Sequence, residues 1–140
     1  MQHRQQIITC TIGTTFLGAA LAALDKDVTV FRFADSPPGL TKLPGWGNTV
    51  EADEAPRLFA AEPPALVLLV DCHRTDRCGD LQETLDRADR IVCIDHHLVS
   101  GRKSPEAGWV EPLACSTCTL VYRVIEILGE GDTEAGDDPF

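Results

Sequence analysis

Two short apolar runs constrain this chain more than any other feature. Ala65 to Val70 reads ALVLLV and Ile91 to Ile94 reads IVCI. Each stops abruptly at ionisable residues, Asp71 in the first case and Asp95, His96 and His97 in the second. Runs of this length without polar alternation fit strands buried on both faces, as in a parallel sheet covered by helices. Parallel neighbours need a crossover, so helices must lie between the strands.

The remaining segments supply them. Ile7 to Ile12 reads as a strand, Gly13 to Thr15 as a turn, and a helix follows from Phe16, with Phe16, Leu17, Ala20, Leu21 and Leu24 on one face. Val28 to Phe33 is a second β-branched and aromatic run, and Asp35 to Gly47, with Pro37, Pro38 and Pro44, is a loop. Leu58 to Ala61 adds a helical turn before Pro63 and Pro64. A helix opening at Asp80, with Glu83 completing a capping box, buries Leu81, Leu85 and Ala88. Trp109 and Val110 suggest a short strand. Ser116 or Thr117 then caps a last helix with Leu120, Val121, Val124, Ile125 and Leu128 as its stripe and Gly129 as its stop. The expected fold is α/β, a doubly wound and mostly parallel sheet in a single domain over residues 1–129. Residues 130–140, with Glu130, Asp132, Glu134, Asp137 and Asp138 and no cation, read as an acidic disordered tail.

Charge narrows the partners. Twelve Lys and Arg against 22 Asp and Glu give a net charge of -10 over 140 residues, which argues against capture of duplex nucleic acid. Six cysteines at irregular spacing, in a chain large enough to fold without staples, read as reduced thiols of a cytoplasmic protein. Ile7 to Leu24 carries no charge, follows His3 and Arg4, and contains an Ala20-Leu21-Ala22 stretch like a signal-peptidase site. Thr9, Thr11, Thr14 and Thr15 dilute it below what a membrane helix requires, which favours the strand-and-helix reading and no membrane partner.

Ligands of open parallel sheets bind outside the carboxyl ends of the strands. Asp71 and the Asp95-His96-His97 run fall at that edge, and carboxylate with imidazole suits a divalent Mn, Fe or Zn ion. A lone carboxylate at a strand end more often caps the next turn; two such ends together point to a site. Gly13 to Gly18 has Walker A glycine spacing, but Ala19 and Ala20 replace the lysine and hydroxyl. Cys115-Ser116-Thr117-Cys118 is a C-x-x-C, with Cys72, His73 and Cys78 as neighbours in the expected fold, so Zn²⁺ at Cys115 and Cys118 is a secondary reading. A redox pair there is a further one. Arg77, Arg102 and Lys103 are candidates for anion contact.

VLLVDCHRTDRCGDL, then RIVCIDHHLVSG, then CSTCTLVYRVIEILG together resemble the DHH phosphoesterase superfamily, over about Ile7 to Gly129. The loop DSPPGLTKLPG resembles members that degrade very short RNAs and dephosphorylate 3'-phosphoadenosine 5'-phosphate. The resemblance implies that Asp71 bridges two metal ions, usually Mn²⁺, that His96 binds the second, and that His97 contacts substrate phosphate. It also implies that Asp95 orients imidazole, with hydrolysis by a metal-activated water. The first motif of the family, His-x-Asn-Pro-Asp-Gly-Asp, departs. Its alignment puts Thr9 (or Cys10) at the His, Gly13 at the first Asp and Thr15 at the second. A fourth ligand and a second domain would lie beyond residue 140. The expected function is hydrolysis of short oligonucleotide or nucleotide phosphoesters with reduced or lost activity. The alternative is a non-catalytic nucleotide-binding or assembly module, acting as a homo-oligomer or with a partner subunit.

Overall fold

The computed structural model describes residues 5–8, 12–32, 38–99 and 107–130. Thr9, Cys10, Arg102, Lys103, the start of the Asp35–Gly47 loop and residues 131–140 of the acidic tail lie outside them. Six strands form one sheet: β1 (Gln5–Ile8), β2 (Val28–Arg32), β3 (Val50–Glu51), β4 (Leu66–Val70), β5 (Ile91–Asp95) and β6 (Ala107–Val110). Their order is β3-β2-β1-β4-β5-β6, and every pairing is parallel. The two apolar runs of the sequence are adjacent strands, in register from Val67 opposite Ile91 to Val70 opposite Ile94.

Helices cover both faces, and the period-two alternation of the strands decides which side chain meets which helix. On one face, α1 (Ile12–Ala23) and α4 (Thr117–Glu130) enclose Leu17, Leu21, Val70, Ile94, Leu120 and Val121. On the other, α2 (Ala55–Ala61) and α3 (Gln82–Leu85) cover Phe31, Phe59, Val67, Leu69, Leu85 and Cys93. Val70 and Ile94 thus face one layer while Leu69 and Cys93 face the other. This is the doubly wound α/β architecture that the two uninterrupted runs require. Among the described residues no helix is long and apolar enough to cross a membrane.

Three local expectations are corrected. Gly13 to Thr15 is the buried first turn of α1 rather than a loop, and Ile12 belongs to that helix rather than to the strand; residues 9–11 lie outside the described ones. The glycine lets α1 approach α4, since a Cβ on Gly13 would sit 3.3 Å from Val121 Cγ2. The capping box at Asp80 is not formed. Gly79, at φ 57, turns the chain into a tight 3-10 turn over Gly79–Leu81, and α3 starts after Leu81 with no side-chain cap. At the other end, α4 runs past Gly129 to Glu130.

Close packing of β5 on β6 gives a direct test. A Cβ on Gly108 would lie 2.6 Å from the Cys93 carbonyl oxygen, a backbone atom that cannot swing away. Gly108→Ala is therefore expected to cost about 1–3 kcal/mol by overpacking, read as a lower urea midpoint at unchanged m-value.

Candidate functional site

The strand order reverses between β1 and β4, since β2 and β3 extend one way from β1 and β5 and β6 the other way from β4. A crevice forms outside the carboxyl ends of strands at such a point. Asp71 stands there, immediately after β4. Its amide donates to the Ile94 carbonyl at 2.8 Å, and its backbone is left-handed, φ 62. Aspartate tolerates that conformation better than most residues, at a cost in strain. The Thr117 hydroxyl, at the start of α4, donates to Asp71 Oδ1 at 2.6 Å and sets the carboxylate's orientation. Sequence reading takes Ser116 or Thr117 for a helix cap; in the fold Thr117 opens α4 and its hydroxyl serves the site.

The end of β5 supplies the imidazoles. His96 Nε2 lies 3.8 Å from Asp71 Oδ1, while its Nδ1 donates to the Ala114 carbonyl at 3.3 Å. His97 Nδ1 lies 3.9 Å from the same Asp71 oxygen and only 2.6 Å from Asp95 Oδ1. The ligand-capable atoms of Asp71, His96 and His97 all fall within 4.8 Å of one another. Two donors 3.8 Å apart are within the span of one ion with bonds of about 2.1 Å each. Outer hydrogen bonds to Asp71 and His96 are what a metal site needs to hold its ligands.

Asp95 is different in kind. It is buried, and Oδ1 accepts from the amides of His96 and His97, at 2.8 and 3.2 Å, as well as from His97 Nδ1. Its other oxygen lies 2.5 Å from Nδ1 of the buried His73. Burial pushes the Asp95 carboxyl up, but the hydrogen bonds from His73 and His97 outweigh it and hold the group below the usual carboxylate range. The same bond to Asp95 raises the His97 imidazole, against desolvation and the opposing charge of Arg77. Arg77 is exposed on the turn Thr75–Arg77, and its positive charge opposes the rise at His97.

The positions that the resemblance aligns with the first-motif aspartates are the buried Gly13 and Thr15 of α1, and neither offers a carboxylate. Thr9 and Cys10 lie outside the described residues. Among the described residues the one group of three metal-capable side chains is Asp71, His96 and His97.

Among the described residues no cysteine joins a group of three metal-capable side chains. Cys115 Sγ instead meets the Thr119 hydroxyl at 3.1 Å, which lowers its pKa. Cys72 is held down to about 6, chiefly by the Cys78 thiol hydrogen-bonded to it, whereas burial pushes Cys93 up. None of the five described cysteines is in a disulfide.

His73 is the residue whose partner sequence reasoning missed: it stands beside Cys72, but its ring is bound to Asp95. Its signal lay in the pairing register. With Val70 opposite Ile94, residues just past β4 must lie beside those just past β5.

Comparison with known proteins agrees with this fold. The cyclic-di-AMP phosphodiesterase GdpP of Geobacillus thermodenitrificans (strain NG80-2) is 32% identical over 83 residues, which is 58% of this chain and 12% of that protein. An exopolyphosphatase-related protein from Bacteroides fragilis shares the fold with a TM-score of 0.78 at 23% identity, over 91% of this chain and 40% of the other. The exonuclease RecJ bound to manganese superposes with a TM-score of 0.59 at 24% identity, over 93% of this chain and 34% of its own. The chain thus spans well under half the length of each of these proteins. The model of the DHH family, N-terminal domain, matches residues 5–138, and the chain belongs to that family.

Proposed function

We propose that this domain hydrolyses phosphoesters of nucleotides or very short oligonucleotides, slowly, with a single weakly held Mn²⁺. The observation that carries the reading is the convergence of Asp71, His96 and His97 at the strand ends. The Asp71 carboxylate and His96 Nε2 would hold the ion, and His97, Asp95 and Arg77 would serve the substrate. A bound Mn²⁺ would supply charge stabilisation at the phosphoryl oxygens and a more acidic water.

The chain's own residues do the rest. Arg77 and His97 place positive charge where a phosphate would sit. Asp95 engages His97 Nδ1 and favours the protonated ring, whose Nε2–H is then left to donate to a phosphate oxygen. Gly13 and Thr15 offer no carboxylate, so the two-ion clamp of the family is reduced to one ion and the rate falls with it. GdpP is named as a phosphodiesterase of a cyclic dinucleotide and RecJ as an exonuclease, which supports phosphodiesters of nucleotides as the substrate class.

The test is Mn²⁺-dependent hydrolysis of a linear dinucleotide and of cyclic di-AMP, with the Asp71→Ala, His96→Ala double variant as control. Slow turnover that needs millimolar Mn²⁺ and disappears in the double variant is expected; activity surviving it would refute the site. A site with Kd near 1 mM stabilises the fold by only about 0.4 kcal/mol at 1 mM ion. Millimolar Mn²⁺ is therefore expected to move the melting temperature by about 1 °C. A shift of several degrees would mean further ligands and a fuller metal centre. A second reading, a non-catalytic nucleotide-binding or assembly module, is favoured by Gly13 and Thr15, and nucleotide binding without turnover would select it.

A further inference from the structure

The two oxygens of Asp95 are engaged in opposite directions. Oδ1 serves the His96-His97 loop, through two backbone amides and the His97 ring. Oδ2 faces the interior, where His73 Nδ1 lies 2.5 Å away. The side chains of His73 and Asp95 are 2% and 1% exposed, so water competes for neither. A carboxylate turns easily about its last torsion, which is broad and roughly two-fold. If Asp95 were held at Oδ1 alone, every partner would belong to the loop directly after it, and the group would follow that loop. His73 belongs to the segment after β4, a different strand, and so ties the carboxylate to a second, independent part of the sheet.

We infer that His73 is a positioning residue: it fixes the plane of Asp95, and through Asp95 the ring of His97. With Asp95 locked as an acceptor, the hydrogen of a neutral His97 sits on Nδ1, and Nε2 is presented to the crevice. The effect on ring orientation stands on geometry alone. Only its effect on rate rests on the proposed role of His97 at a substrate phosphate. His73 touches neither ion nor substrate in this scheme.

The test uses the full chain labelled with ¹⁵N, at a pH where His97 is neutral. His73→Asn offers an amide donor where imidazole Nδ1 sits, and His73→Phe fills the space without one. In wild type and His73→Asn, His97 is expected to show a single tautomer protonated at Nδ1. In His73→Phe the two ring-nitrogen signals are expected to move toward each other as the tautomers mix. Turnover of a dinucleotide should fall about tenfold in His73→Phe with KM little changed, and recover in His73→Asn. A purely structural His73 would lower the melting temperature of His73→Phe and leave the His97 ring signals as in wild type, and that result overturns the inference. If His73→Phe does not fold, His73→Ala is compared with His73→Asn by the same signals. If the wild type shows no turnover at all, the functional reading fails while the ring signals still decide the role of His73.

Discussion

Asp71→Asn is expected to reduce Mn²⁺-dependent hydrolysis at least about 100-fold, since loss of a direct ligand should exceed the tenfold to hundredfold effects of outer partners. Asparagine is the informative replacement for two physical reasons. It tolerates the left-handed backbone that Asp71 adopts at φ 62, and its amide oxygen can still accept from the Thr117 hydroxyl. Only the negative charge that neutralises the ion is removed. Alanine would add about 1–2 kcal/mol of backbone strain and confuse folding with chemistry. The measurement is initial rate against Mn²⁺ concentration for both proteins, with the melting temperature as a control. Equal rates in wild type and Asp71→Asn would exclude Asp71 as a ligand.

Asp95→Ala is expected to be the most damaging single change to stability. Removing one member of a buried hydrogen-bonded pair leaves the other without compensation, at about 3–5 kcal/mol. In a chain of this size that corresponds to a melting temperature lower by roughly 10–15 °C. His73 loses its 2.5 Å partner, and the amides of His96 and His97 lose their acceptor. The sign of the pH dependence follows from the depressed carboxyl. Such a group contributes stability above its ordinary pKa, and the contribution is lost as pH falls through the folded-state value. The gap between wild type and Asp95→Ala should therefore be full at neutral pH and narrow below about pH 4. A gap that stays constant down to pH 2, followed by urea titration, would show that the hydrogen bonds of ionised Asp95 are not its source.

Much of the fold was legible because burial on both faces leaves a plain mark. ALVLLV and IVCI have no polar alternation, and they are adjacent parallel strands. The aligned ionisable residues at their ends followed from the same argument, and Asp71, His96 and His97 do come together. What failed was local. Gly13 and the threonines after it look like a turn by composition, yet contact with α4 makes them helical, which is a tertiary effect that no window of sequence contains. The capping box at Asp80 was overridden by the positive φ of Gly79. The bonds from Thr117 to Asp71 and from His73 to Asp95 join residues 46 and 22 positions apart. Those become visible only once the strand register is known.

The position of β1 has a consequence for how the molecule is made. It is synthesised before the other five strands, yet it is bonded on one edge to β2 and on the other to β4. On a ribosome its first edge can close once Val28–Arg32 has emerged, but its second must wait for Leu66–Val70. Throughout that interval a nascent chain carries an unsatisfied row of amides and carbonyls at what will become the middle of the sheet, the arrangement that most invites pairing with a neighbouring chain. Slow translation or crowded polysomes should therefore penalise this topology more than one whose earliest strand ends up on the rim.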